Sequence, residues 1–280
     1  MSSSIKYITK DSLKNTLIDV GLQEGDIVLV HSDISSFGTV ENFSKKEVLN
    51  IFYEAFMEVL GDEGTLCVPA FFYEYARKSI PFDTELSPVS KEIGVFSSFL
   101  NKIKGRKRSP NPLTSIVAIG KNADYICEHV NRHSYGEDSA FDRLYKLNAK
   151  IIVMGVPYQT SLTFGHYVEY RTGVPYNYTK FYDIPVYSNG KLVFDSTYAS
   201  VRYLDCNVKM IGESHNFSLQ NNTDSLVANN IAVSKDYLYS KIYLINSHKL
   251  FDFTKNKLMK DTYCMLAEKP NFEKGRYPFK

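Results

Sequence analysis

The sequence predicts an α/β protein: a mostly parallel central sheet flanked by helices, with a C-terminal hairpin elaboration. Three observations carry this. Short, continuously apolar runs such as D-I-V-L-V-H (26–31) and K-I-I-V-M-G-V (150–156) have the texture of strands buried on both faces. They alternate with segments of helical periodicity, as in a sheet covered on both sides. After residue 180 the pattern becomes an alternation centred on Asn189-Gly190, a pair that favours a two-residue hairpin turn.

The elements follow in order. Residues 26–31 form a strand bounded by Gly25 and the polar loop S-D-I-S-S-F-G. Residues 44–60 predict a helix, with Ser44 as N-cap, Glu47 at the third helical position, and Val48, Ile51, Phe52, Ala55, Phe56, Val59 and Leu60 at helical spacing. G-T-L-C-V-P-A-F (64–71) is a strand ended by Pro69, and 115–120 and 150–156 are further strands. Helical segments near 90–103, 121–132 and 139–147 separate them. I-P-V-Y-S-N-G-K-L-V-F-D (184–195) is the hairpin, and 196–280 is mixed and irregular. No linker or repeat interrupts the chain, so one domain over 1–280 is expected, with a core at about 20–180 and a divergent hairpin-bearing region at about 181–280.

Length and composition fit a folded globular protein rather than a disordered chain: 280 residues, 44% hydrophobic and 23% charged. A formal net charge of +2 argues against a general nucleic-acid binder. The start M-S-S-S-I-K-Y-I-T-K lacks the apolar core of a secretion signal. No window approaches the roughly 18 apolar residues of a membrane span, so a cytoplasmic protein is expected. Cys67, Cys127, Cys206 and Cys264 stand far apart, which predicts free thiols rather than a metal site.

In sheets of this kind ligands bind at the carboxyl ends of strands. The stretch T-S-L-T-F-G-H-Y-V-E-Y-R-T-G-V-P-Y (160–176) follows such an end, and a core needs none of its Thr160, Ser161, Thr163, His166 or Glu169. If a helix starts near Thr163, His166 and Glu169 share one side of it. That spacing suits a neutral imidazole oriented by a carboxylate, as a general base requires, and equally a buried structural histidine. His129 and His133, four apart on an expected helix, fit caps of a solvated helix end better than a metal face. The run N-K-I-K-G-R-K-R-S (101–109) reads as a solvated basic loop or as an anchor for phosphates. No nucleotide-binding glycine loop or nucleophile elbow occurs.

Six motifs occur in a fixed order: H-S-D-I-S-S-F-G (31–38), G-D-E-G-T-L-C-V-P-A-F (61–71), S-P-V-S-K-E-I-G (87–94), R-S-P-N-P-L-T-S-I-V-A-I-G (108–120), S-A-F-D-R-L-Y-K-L-N-A-K-I-I-V-M-G-V (139–156) and T-S-L-T-F-G-H-Y-V-E-Y-R (160–171). Together they resemble the aminoglycoside 3-N-acetyltransferase family over roughly residues 20–180. The resemblance implies direct transfer of an acyl group from acyl-CoA, with no metal, to the amino group of a small-molecule acceptor. That acceptor is an aminoglycoside or a sugar-nucleotide or glycan precursor. It places the family's catalytic histidine at His166, with Glu169 orienting it and Thr163 donating toward the thioester or oxyanion. Glu213, in M-I-G-E-S-H, is a second carboxylate for the amino group. His31, Ser32, Ser35, Ser36 and Gly38, with Arg108, Ser109 and Ser115, are expected to hold the pantetheine and phosphate parts of the cofactor. The family pattern R-S-x-H-P has Asn111 in place of its histidine here, which bears on acceptor or cofactor detail rather than on the chemistry. Neither nucleic acid nor membrane is an expected partner, and a homo-oligomer is compatible. The alternative reading is a non-catalytic carbohydrate- or nucleotide-binding protein on the same scaffold, disfavoured by the retention of His166 and Glu169.

Overall fold

A computed structural model describes residues 7–38, 44–156, 163–203 and 226–266. Helix α1 (Lys10–Val20) is capped by Thr9, and β1 (Ile27–Ser32) runs from Asp26 into a 3-10 turn, Ile34–Phe37. α2 (Lys45–Leu60) starts as its sequence predicts, with the Ser44 and Glu47 side chains each accepting from the other's backbone N–H. Then come β2 (Thr65–Pro69), α3 (Glu74–Lys78), β3 (Phe82–Asp83), α4 (Val95–Leu100), β4 (Lys107–Arg108), β5 (Ile116–Gly120), α5 (Ala123–Cys127), α6 (Ala140–Lys146), β6 (Lys150–Met154) and α7 (Phe164–Thr172). The last part holds β7 (Asn177–Tyr182), β8 (Val186–Ser188), β9 (Lys191–Phe194), β10 (Thr197–Arg202), β11 (Ala232–Tyr237), β12 (Ser240–Asn246) and α8 (Ser247–Lys260).

The central sheet has seven strands in the order β11-β12-β6-β1-β2-β5-β4. β1 pairs in parallel with both β2 and β6. β5 and β12 run against this centre, and β4 and β11 turn back with it, so five of the seven strands point one way. The reversal at β5 leaves no mark in S-I-V-A-I-G, because an apolar run buried on both faces carries no direction. Alternate side chains feed two cores: Leu29, Cys67, Ile151 and Val153 pack against α5 to α8 through Ile126, Phe141, Tyr167 and Leu250. On the other face Val28, Val30, Leu66 and Ile152 meet Leu13, Leu17, Phe52, Phe56 and Phe96 of α1, α2 and α4. Each fully buried ring of this kind contributes about 1.5–3 kcal/mol.

Two expected helices are shorter than their apolar spacing suggests. Gly94, at φ +105°, separates a 3-10 turn (Lys91–Ile93) from α4. α5 stops at Cys127 because the Arg143 guanidinium donates to the carbonyls of Tyr125, Glu128 and His129, collecting the free acceptors of the helix end. His129, at φ +53°, is therefore beyond the helix, and His129 and His133 share no helical face. The 184–195 hairpin forms as expected, with Asn189 and Gly190 both at positive φ (49° and 72°) between β8 and β9. It joins β3 in a three-stranded sheet beside the two-stranded β10-β7 pair, over a small core of Phe72, Tyr75, Phe82 and Val186. β11, β12 and α8 then return to the central sheet and α7, where the sequence had offered only an irregular region. No helix among the described residues is long and apolar enough to cross a membrane.

Candidate active site

The carboxyl ends of β1, β2 and β6 open onto a cleft of about 640 Å³, within the usual range for small-molecule sites. β1 brings His31 and Ser32 to its wall, and the turn that follows adds Asp33 and Ser35. Asp33 fixes that turn by accepting from the Ser35 N–H (3.0 Å) and hydroxyl. Past the end of β2, Pro69, Phe71 and Tyr73 form an apolar wall, Gly94 and Val95 another, and Val156 and Thr163 close the side nearest α7. Lys45 is the single cation among the lining residues. Ser36 and Gly38 do not line the cleft: the Ser36 hydroxyl donates to the Asp33 carbonyl, and Gly38 lies against the Tyr239 ring. Gly155, at φ +71°, lets the end of β6 approach this turn, since a Cβ there would sit 2.2 Å from the Asp33 carbonyl oxygen.

α7 starts at Phe164 directly after Thr163 and ends on Gly173 in the left-handed region. Its apolar side, Phe164, Tyr167 and Val168, is buried against the core, and the Tyr167 hydroxyl donates to the buried Asp142 of α6 (2.8 Å). His166 lies one turn from Thr163, its backbone N–H donating to the Thr163 carbonyl (3.0 Å). The His166 Nδ1 is 2.8 Å from the Glu169 Oε2. The imidazole is 39% exposed and the carboxylate fully buried. Two residues outside the sequence-derived site complete the cluster. Tyr176 donates its hydroxyl to Glu169 Oε1 (2.9 Å), and Arg202 of β10 donates to both carboxylate oxygens. Burial works against a charge on Glu169, but Arg202 and then His166 outweigh it and hold the carboxyl down at about 2.

Arg106, Lys107 and Arg108 of the basic run have partners within the protein where phosphate contacts were expected. Arg106 pairs with Glu85, and Lys107 with Asp124 and Glu128. Arg108 is buried and donates to the carbonyls of Ala70, Ser87 and Pro88, with its guanidinium over the Phe82 ring. Ser115 donates to the Ala70 carbonyl, and Ser109 accepts from the Ile116 N–H (2.9 Å). These three side chains brace the loops behind the Pro69–Phe71 wall and lie outside the cleft lining. Asn111 is likewise buried, its amide donating to the Arg132 carbonyl (3.1 Å). Replacing Arg108 with Met takes a donor from the Ser87 and Pro88 carbonyls, while Ser115 still serves that of Ala70; the expected result is a loss of about 2 kcal/mol with substrate KM values unchanged. Urea denaturation and steady-state kinetics of one preparation check both halves. Glu213 and the stretch with Thr160 and Ser161 lie outside the described residues. No group of three potential metal ligands occurs among the described residues.

His31 is buried, and its Nε2 has no hydrogen-bond partner among the described residues. Burial pushes its imidazole down from 6.5 to about 4. The unfolded chain therefore takes up a proton near pH 6.5 that the folded chain refuses until about 4, and stability falls across that window. Glu169 adds a second loss, between its ordinary 4.5 and about 2. Each is worth about 3 kcal/mol. Urea midpoints at pH 7, 5 and 4 are expected to fall steadily, and His31→Phe to flatten the fall between pH 6.5 and 4; an unflattened variant would assign the acid loss elsewhere.

The chain matches the family model "Aminoglycoside 3-N-acetyltransferase" over residues 29–259 and belongs to that family. Aminoglycoside N(3)-acetyltransferase III of Salmonella sp is 29% identical over 217 residues, covering 71% of this chain and 74% of the relative. The SPbeta prophage-derived aminoglycoside N(3')-acetyltransferase-like protein YokD of Bacillus subtilis (strain 168) is 28% identical over 206 residues, covering 66% and 73%. Among solved structures, AAC-IIIb in its binary complex with CoASH has a TM-score of 0.74 at 21% identity, covering 91% of this chain and 97% of that one. Sisomicin-bound AAC-VIa reaches 0.75 at 20% identity, covering 91% and 99%. The family is one of acyl-CoA-dependent N-acyltransferases.

Proposed function

We propose that this chain transfers an acetyl group from acetyl-CoA to an amine of an aminoglycoside-type amino sugar, with His166 as general base. The observation that carries the reading is the His166 and Glu169 pair, one helical turn from a cleft wall at Thr163. With Nδ1–H donating to Glu169, the lone pair resides on Nε2, where an ammonium acceptor that has lost one proton can hand over its second as it attacks. Acetyl-CoA supplies an activated thioester: the N–C bond forms, the C–S bond breaks, and the proton that His166 removes restores the released thiol. Thr163 donates toward the acyl oxygen as negative charge develops there. His31, Ser32 and Ser35 offer polar partners for the amides of a pantetheine arm, with Phe71 and Val156 covering its methylenes, and Lys45 faces its phosphates. Glu213 is retained as the carboxylate that receives the acceptor amine. Support comes from the relatives, named for aminoglycoside acetylation, and from the CoASH complex of AAC-IIIb. The reaction is placed in the cytoplasm, where thiols such as Cys67, Cys127 and Cys264 stay free.

The test is thiol release from acetyl-CoA with a panel of aminoglycosides and amino-sugar nucleotides. Release that depends on an aminoglycoside, with one acetyl group gained by the product, is expected. Release with sugar nucleotides alone would change the acceptor to a glycan precursor. Binding of both ligands without any release would favour the non-catalytic reading.

A further inference from the structure

Arg202 is the feature of this cluster that nothing in the His166 and Glu169 pairing requires. It lies at the end of β10, far in sequence from α7, with its side chain 7% exposed. Its Nε is 3.3 Å from Glu169 Oε2, the oxygen that also meets His166 Nδ1, and a terminal nitrogen bonds Oε1, so the guanidinium grips both carboxylate oxygens. Among the described residues, no other cation reaches Glu169 apart from His166 itself. The tyrosines around the pair are uncharged at neutral pH. Tyr135, 6.4 Å from the His166 ring between centroids, and Tyr176 are both kept protonated by burial. The Cys264 thiol, beyond α8, is pushed up to about 11 by burial, and Asp261 and Lys257 flank it with opposite charges. His133, its ring tilted against Tyr170 of α7 with centroids 4.6 Å apart, is held toward its neutral form by burial.

A lone buried carboxylate against an imidazole stabilises the imidazolium and so removes the base at neutral pH. A carboxylate already matched by a guanidinium still orients the ring through Nδ1–H without that penalty. We propose that Arg202 is a positioning residue that offsets the charge of Glu169 and so sets the pH above which His166 is free to accept a proton. This rests on His166 being the base. Arg202 touches no reacting atom; it acts through Glu169.

The test is the acid limb of kcat/KM against pH. Arg202→Gln keeps a donor for Glu169 but removes the charge, and its limb is expected to move up by about one pH unit. Arg202→Lys keeps the charge and is expected to stay within about 0.3 unit of the parent. Because Arg202→Gln strands a buried charge and is at risk of misfolding, the comparison is repeated in a Glu169→Gln background, where the double variant leaves no buried charge unmatched. In a Glu169→Gln background, adding Arg202→Gln is again expected to raise the limb by about one unit. KM for acetyl-CoA is expected to be unchanged in every variant. A purely structural Arg202 lowers stability and leaves the limb where it was in both backgrounds, and that result overturns the inference. Retention of the limb in an active His166→Ala enzyme would instead overturn the base assignment and this inference with it.

Discussion

His166→Ala is expected to lower kcat by about 10²- to 10⁴-fold, the contribution of a positioned base, while KM for acetyl-CoA stays within about threefold. The side chain is 39% exposed, so its removal is expected to leave the fold intact. Glu169 keeps Arg202 and Tyr176 as partners. The acceptor amine then sheds its proton only to water, and the loss falls on the transition state rather than on ground-state binding. Single-turnover and steady-state rates on a variant with an unchanged melting temperature check this. A rate within about threefold of the parent would remove His166 from the base role.

Glu169→Ala is expected to behave differently, losing activity and stability together. The truncation leaves Arg202 as a buried, unmatched guanidinium and frees the hydroxyl of Tyr176. Removing one partner of a buried ion pair costs about 3–5 kcal/mol, a large share of the stability of an ordinary domain. The His166 ring also loses the acceptor that fixes its tautomer. Equilibrium urea denaturation of His166→Ala and Glu169→Ala side by side is expected to separate the two, with the first near the parent and the second far below it. A Glu169→Ala midpoint close to the parent would mean that the cluster does not hold β10 against α7.

The contrast between these residues also marks where the sequence was legible. His166 and Glu169 stood out because polar groups follow an apolar strand at helical spacing, a local signal. Arg202 and Tyr176 reach the same carboxylate from β10 and the loop after α7, and no spacing in the chain connects them to it. Arg108 was misread for a related reason. A basic run looks the same whether a guanidinium meets solvent, a phosphate, or three backbone carbonyls, and only the folded loops decide. The β8–β9 hairpin was legible because Asn189-Gly190 declares its turn, whereas β11 and β12 join through Leu238 and Tyr239, with Leu238 at φ +52°. A leucine gives no warning of a left-handed turn, so two strands of the main sheet went unseen. The central strands were recognised and their order was not, since order and direction are set by which helices cover which face.

The central claim is direct transfer: the acceptor amine attacks the acetyl group while both substrates are bound, and His166 takes the proton. It is tested most directly by initial rates over a matrix of acetyl-CoA and aminoglycoside concentrations. No cysteine or serine among the described residues sits beside His166 in hydrogen-bond contact, so the account expects double-reciprocal lines that intersect, as for a ternary complex. Parallel lines, the pattern of an acetylated enzyme that forms before the acceptor binds, would contradict it.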